Sequence, residues 1–208
     1  MSDGLKTGIY DVASALEVPV LVGALLALAL VVVELGAFAV ELRRRRRRDA
    51  GRLVTSAETA RAALDRGDRE ALRRAAAEVA VSPAMAAVAD QVATVVGGPR
   101  SEARVSKLLA DFDLQAEGAL NRTRLLVRFG PALGLMGTLI PLSPALEGLA
   151  KGKITQLSDN LRIAFSVTVL GLLVGAVAFA LSLFRDRFYS QDYSDLEYLC
   201  AVLTEPPA

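Results

Sequence analysis

The chain has 208 residues, of which 53% are apolar, and its formal net charge is only +1. This apolar content is high for an ordinary soluble protein, and the small net charge hides a strong segregation of charge along the chain. Histidine is absent and Cys200 is the only cysteine, which removes the usual transition-metal ligand and excludes an intrachain disulfide. The sequence shows no nucleophile–base set, metal cluster or phosphate-binding loop, so we expect neither an enzyme nor a cofactor.

Residues 1–17 form a polar segment, and residues 18–40 form the first apolar stretch. About 20 helical residues cross the hydrocarbon core of a bilayer, so this stretch is long enough for a transmembrane helix. The basic run behind it is typical of a stop-transfer segment and not of a signal peptide. At this position the arginines predict membrane topology and contact with anionic lipids, and nucleic-acid binding is a far weaker interpretation. The run consists of Arg43, Arg44, Arg45, Arg46, Arg47 and Arg48.

One carboxylate, Glu34, interrupts the first apolar stretch. Translocon scales put a central carboxylate at a cost of only about 2.5–3.5 kcal/mol, which the flanking leucines and valines can offset. We interpret Glu34 as a snorkelling or arginine-paired residue, with a role in ion conduction as the alternative. Glu41 follows seven residues later on the same helix face.

Residues 41–124 are soluble in character, with Ala, Arg and Glu at helical spacing. Breakers at Gly67, at Ser82–Pro83 and at Gly97–Pro99 divide the segment. Its role stays open between an extension of the membrane helices and a binding site for a cytoplasmic regulator. The pattern predicts helices at roughly 55–65, 68–81, 83–96 and 101–124, the last running on into the next span.

Two further apolar stretches, residues 125–149 and 161–184, predict transmembrane helices two and three, joined by a loop at 150–160. Residues 185–208 continue as a polar helix. The fold class is therefore an all-α membrane protein with three transmembrane helices, the second and third extended into a helical cytoplasmic domain. Lys and Arg counts near the spans predict a cell-membrane (inner or plasma membrane) protein whose N-terminus and 150–160 loop lie outside and whose 41–124 segment and C-terminus are cytoplasmic.

Small residues form a stripe on each of these two helices, with spacings of three and four residues. Small side chains let membrane helices approach closely, because lipid provides little hydrophobic drive for association. One interpretation is packing within a single hairpin. Two full stripes also favour packing of each helix on a neighbouring subunit or partner. The stripes are Gly130, Gly134, Gly137, Pro141 and Ala145 on the second span, and Thr168, Gly171, Gly175, Ala178 and Ser182 on the third.

Thr138 and Thr168 lie at equal distances in sequence from the middle of the loop, so an antiparallel hairpin places them at similar depth. A threonine in a membrane helix commonly donates to its own i−4 carbonyl, and this is the alternative to a role in an ion pathway. Between residues 125 and 184 the only carboxylates are Glu147 and Asp159, both at the outer ends. If protons cross here, a carboxylate from another chain must carry them.

These residues resemble the MotA/TolQ/ExbB proton-channel family. PALGLMGT from Pro131 to Thr138 is similar to the family pattern P-x-x-G-L-x-G-T, and AFSVTVLGL from Ala164 to Leu172 is similar to A-x-x-x-T-x-x-G-L in the following span. The resemblance implies a homopentamer whose second and third spans line a pore. It also implies a dimeric, single-span partner of the ExbD/TolR/MotB type, with an aspartate that faces Thr138 and Thr168.

The sequence departs from the family pattern at two places. Pro141 and Pro144 stand where many relatives continue with a Trp-Gly-type run, which predicts a kinked or broken outer turn. Ile163 stands where many relatives have an acidic residue five positions before the second threonine. Both departures leave conduction, and the choice between proton and sodium, open.

The leading hypothesis is a stator-like proton-channel subunit of the inner membrane that couples the proton-motive force to mechanical work through such a partner. One alternative is a non-conducting membrane scaffold of the same fold. The other is a small secondary transporter, although three spans provide no inverted repeat.

Overall fold

The computed structural model describes residues 2–45 and 50–205, and all secondary structure in these ranges is helical. Arg46, Arg47 and Arg48 lie outside the described residues, so the interpretation of their role stays a prediction. The seven helices of the described ranges are α1 (Ser2–Ala15), α2 (Glu17–Arg45), α3 (Ala50–Asp65), α4 (Arg69–Val79), α5 (Pro83–Val95), α6 (Ser101–Ala150) and α7 (Ile154–Thr204).

Three of the helical segments are long and apolar enough to cross a membrane by length and composition: Thr7–Arg45, Ser101–Ala150 and Ile154–Thr204. Their number and order agree with the three predicted spans. The polar N-terminal segment is helical as well, since α1 covers most of it. The protein is therefore an all-helical membrane protein.

The first of two compact units, called the hairpin unit here, consists of Met1–Gly36 and Arg122–Ser182. Its buried centre is made by Ala27 and Val31 of α2 with Val174 and Ala178 of α7. These side chains are small or β-branched, so the helices can pack closely and with little loss of rotamer freedom.

The connection between α6 and α7 is shorter than the predicted loop, because α7 already begins at Ile154. Gly152 has a φ of +71°, which only glycine adopts without strain. The N–H of Lys153 donates to Gly148 O at 2.8 Å and the N–H of Gly152 donates to Leu149 O at 2.9 Å. This is the Schellman arrangement, which ends α6 and turns the chain within three residues.

The second unit, called the alanine-rich unit here, consists of Ala37–Asn121 and Leu183–Ala208. Its core contains many alanines from α3, α4 and α5, with Phe112 of α6 and Leu196 and Leu199 of α7. Asp68 and Ser82 cap α4 and α5 by accepting from the N–H groups of Ala71 and Met85. The breakers found in the sequence therefore fall at true helix ends.

The outer turn of α6 is not broken, because the helix continues through Pro131, Pro141 and Pro144, whereas the alternative expectation of a kink stays a prediction. A proline removes one backbone hydrogen bond from a helix interior but does not have to end the helix. In membrane helices the freed carbonyl can be satisfied by neighbouring groups, so an uninterrupted helix with several prolines is tolerated.

Candidate functional site

The glycines of the two small-residue stripes meet each other in the hairpin formed by α6 and α7. A Cβ added to Gly171 would lie 2.7 Å from Gly134 Cα and 2.8 Å from Gly134 N, and nearer still to Gly130 O. A Cβ added to Gly130 would lie 2.8 Å from both Gly171 O and Gly175 N. Real Cβ atoms do not approach backbone this closely, so these positions admit only glycine without a shift of the helices.

Two further contacts extend this interface along the hairpin. A Cβ on Gly137 would overlap the Val167 side chain, and a Cβ on Gly175 would lie 2.8 Å from the ring of Pro131. Because Pro131 has no N–H, the Val127 carbonyl loses its usual helical donor. The Gly175 backbone can approach that carbonyl, since the absent Cβ would sit 3.5 Å from its oxygen. The glycines of the stripes thus pack against each other within one chain, as the interpretation of a single hairpin predicted.

The hydroxyl of Thr168 links the two helices of the hairpin. Its Oγ1 donates to Gly134 O on α6 at 3.1 Å and to Ala164 O, four residues back on α7, at 3.2 Å. The hydroxyl has one proton and two lone pairs. Sharing that proton between two carbonyls leaves the lone pairs of Thr168, which is half-buried, available to accept a hydrogen bond from another group.

The hydroxyl of Thr138 stays on its own helix and donates to Leu135 O at 2.8 Å. The facing pairs Gly137–Val167 and Gly148–Gln156 fix the register of the hairpin. In this register the residue opposite Thr168 is two positions from Thr138, or about 3 Å along the axis at 1.5 Å per residue. The two threonines therefore lie at nearly the same depth, while the roles proposed for them in an ion pathway stay predictions.

Glu34 is half-buried in α2, and its role stays a prediction. Of the described arginines at the end of α2, Arg43 and Arg44 are exposed, whereas the Arg45 side chain is only 7% exposed. Arg45 is bonded within the protein and is therefore withdrawn from the lipid contact expected of the whole run. Its partners form a charge cluster that the sequence analysis did not identify.

The charge cluster lies within the alanine-rich unit and is centred on Arg45. The guanidinium donates to both carboxylate oxygens of Asp192, at 2.6 and 2.7 Å, and to Glu41 at 3.2 Å. Ser82 Oγ donates to Asp192 at 3.2 Å, and Arg185 lies 3.8 Å from the second oxygen of Glu41. Asp192 is only 1% exposed, so its charge depends on these donors.

The cluster contains two guanidinium groups and two carboxylates, which compensate one another's charge. Burial alone would lower the pKa of Arg45, but the hydrogen bond and attraction of Asp192, followed by Glu41, outweigh it and raise that pKa above its usual value. The Arg45 guanidinium also lies 4.5 Å above the ring of Phe188, a cation–π contact. The sequence signal for Asp192 was its spacing, since it precedes the apolar residues Leu196 and Leu199 by four and seven positions and so shares their face of α7.

Three long apolar helices and a hairpin closed by glycine contacts define the class of the protein: a helical membrane protein built for close helix packing. The sequence model of the MotA/TolQ/ExbB proton channel family matches residues 52–192, about two thirds of the chain. The chain belongs to this family and is a subunit of its proton-channel type, which confirms the resemblance seen in the sequence. No curated protein matches the chain.

Proposed function

We propose that the protein is the pore-lining, stator-like subunit of an inner-membrane proton channel and passes the energy of the proton-motive force to a single-span partner. The main support for this proposal is the Thr168 hydroxyl, whose only proton is held between Gly134 O and Ala164 O. A hydroxyl held in this way presents acceptor lone pairs to its surroundings. It suits a neighbour that has a proton to donate, such as a protonated carboxyl group.

Spans two and three offer no such carboxyl group near Thr168, and we propose that it comes from a different chain. The spans contribute only Glu147 and Asp159 between residues 125 and 184, and both lie next to the ends of these stretches. A partner helix with one aspartate supplies what is missing: its neutral form donates to Thr168, and its ionised form loses that contact. The proton load of the partner then changes which contacts it makes with this subunit, and this difference drives movement.

Several copies of the chain are needed to enclose such a partner helix, and we propose a homopentamer around a partner dimer of the ExbD/TolR/MotB type. Support comes from large apolar side chains that stay exposed on both helices of the hairpin, including Leu135, Leu139 and Leu172. Lipid covers part of such a surface in a membrane, and neighbouring subunits cover the rest. The arginines after α2 support an N-terminus outside and an alanine-rich unit in the cytoplasm.

The decisive experiment is proton flux into liposomes that contain the protein together with its partner, followed with a pH-sensitive dye. Thr168→Val keeps the shape of the side chain but removes the hydroxyl, and we expect flux to fall at least tenfold. Thr168→Ser keeps the hydroxyl and should retain most of the flux. Ser166→Ala is the matched control, because the Ser166 hydroxyl is exposed and donates to Arg162 O of its own helix.

The same set of variants separates the channel from the scaffold alternative, which Pro141, Pro144 and Ile163 favour. If wild-type complexes assemble with the partner but no variant differs from wild type in flux, Thr168 has no part in conduction and the proposal fails. If wild-type complexes carry no flux under any imposed gradient, the scaffold interpretation replaces it.

A further inference from the structure

The alanine-rich unit contains a half-open cavity of about 600 Å³ that no part of the proposed channel function uses. This volume lies within the range of about 300–1,000 Å³ that is usual for ligand pockets. The lining residues come from α2, from the start of α5 with the residues before it, from α6 and from α7.

Most of the wall is apolar and built from small side chains. Phe112, Ala116 and Ala119 follow one another at spacings of four and three residues and so share one face of α6. Ala37 and Val40 contribute apolar lining from α2. Alanines in place of larger residues leave space that the core of the unit does not fill, and such a space suits an aliphatic chain.

The polar lining of the cavity is unequal in its capacity to bind a ligand. The carboxylates of Glu41 and Asp192 already accept from Arg45, and Ser82 adds a second donor to Asp192. Arg44, in contrast, is exposed, and Tyr189 lines the cavity with a phenol whose pKa is raised by burial and then by the charge of Glu41. Tyr189 therefore stays protonated, and a guanidinium and a hydroxyl are the donors offered to a ligand.

The position of the cavity in the sequence indicates where such a ligand comes from. Its α2 residues, from Ala37 to Arg44, span the change from the apolar stretch to the arginine run. That change marks the membrane surface on the side with the excess of Lys and Arg. An amphiphile in the adjacent leaflet has its charged head at this level.

We propose that this cavity binds one aliphatic chain of an anionic amphiphile, with the phosphate or carboxylate head held by Arg44 and Tyr189. The site is distinct from the hairpin and stands whether or not the protein conducts protons. The shared chemistry is an anionic head on a single chain, and the source is either a membrane phospholipid or a free fatty acid. A neutral or zwitterionic head would gain nothing from the guanidinium.

The test measures binding to the detergent-purified full-length protein by native mass spectrometry, with three probes: lysophosphatidylglycerol, oleate and lysophosphatidylcholine. We expect one molecule of an anionic probe per subunit, with at least tenfold weaker binding of the zwitterionic probe. Preference for lysophosphatidylglycerol over oleate identifies a phospholipid site, and the reverse preference identifies a fatty-acid site.

Two variants and one control locate the binding. Ala116→Phe fills the cavity and should remove binding of every probe, whereas Ala110→Phe adds the same side chain at an exposed position of α6 and should not. Arg44→Gln should weaken the anionic probes roughly tenfold, which is the loss of one charge-assisted contact, and leave the zwitterionic probe unchanged. If Ala116→Phe does not fold, Arg44→Gln alone decides.

Equal binding by a folded Ala116→Phe variant would overturn the proposal. So would equal affinity for all three probes. If the oligomer binds no probe and Ala116→Phe changes the subunit count, a neighbouring subunit fills the cavity and the proposal is also wrong. Proton flux through Thr168 variants is independent of each of these results, so the two proposals fail separately.

Discussion

Replacing Gly171 by alanine tests the packing of the hairpin most sharply. The added Cβ would lie 2.7 Å from Gly134 Cα and nearer still to Gly130 O, whereas ordinary contacts begin at 3.4 Å, so the helices must move apart by more than about 0.7 Å at this point. The atoms in the way belong to backbone and cannot rotate aside. Overpacking of this kind costs about 1–3 kcal/mol, which is roughly a 5- to 150-fold change in the unfolding equilibrium.

The same movement affects the hydroxyl that links the helices. A separation of this size would stretch the 3.1 Å contact from Thr168 Oγ1 to Gly134 O beyond hydrogen-bond length, at about 3.5 Å. Thr168 then keeps only its bond to Ala164 O. We therefore expect Gly171→Ala to lower proton flux together with stability.

The matched control is Gly118→Ala. Gly118 also lies inside a long helix, α6, but has open space around the added Cβ. A glycine-to-alanine change inside an open helix stabilises by about 0.5–1 kcal/mol, so the two variants should shift the thermal unfolding midpoint in opposite directions. The measurement is thermal unfolding in one detergent, followed by circular dichroism. A Gly171→Ala protein as stable as Gly118→Ala would refute the close packing described for this hairpin.

Three further predictions concern the alanine-rich unit. Asp192→Asn leaves the Arg45 guanidinium without its bidentate carboxylate and should cost about 3–5 kcal/mol in denaturant unfolding, whereas an unchanged midpoint would show that the pair contributes nothing. Ser82→Ala removes both the cap of α5 and a donor to Asp192, and should cost about 1 kcal/mol; helix content and midpoint equal to wild type would contradict this. Burial, with a smaller contribution from Glu197, raises the pKa of the Cys200 thiol from 9.0 to about 12, so the folded state favours the protonated form. The stabilisation from the protonated, buried thiol is complete below pH 9 and is lost as pH rises towards 12. Wild type should therefore lose stability relative to Cys200→Ala over this range. Parallel stability profiles of the two proteins against pH would contradict this prediction.

The sequence predicted the long helices and the family well, because both depend on local patterns. Uninterrupted apolar stretches identify transmembrane helices by length alone. The ends of α4 and α5 fall close to their predicted positions, since Asp68 and Ser82 are capping residues with a direct chemical signal. The threonine motifs sufficed for the family, whose match over residues 52–192 confirms it.

The charge cluster could not be predicted in the same way. Arg45 and Asp192 are separated by 147 residues, and nothing in the run of arginines singles out Arg45 as a residue with a buried partner. Pairing of this kind depends on how α2 and α7 pack within the alanine-rich unit, which is a property of tertiary structure. A loop was predicted at 150–160 and the early start of α7 at Ile154 was missed, although Gly152 between two lysines is a recognisable helix C-terminal signal.

The contact partners of the glycines in the two stripes also could not be assigned from the sequence. Spacing alone places Gly130, Gly134 and Gly171 on one face of each helix but does not say which helix they meet. The backbone distances assign them to each other within one chain. In the proposed pentamer we expect other residues to make the contacts between subunits, and the exposed apolar side chains of α6 and α7 are candidates.

The most direct test of the proposed pore is the number of subunits in the purified complex, counted by native mass spectrometry. The protein should be measured alone and after co-expression with a single-span protein that carries a membrane aspartate. The account predicts five copies of this chain, which gain two copies of the partner. A monomer or dimer that does not bind the partner would contradict it, because no pore could then enclose the partner helix beside Thr168.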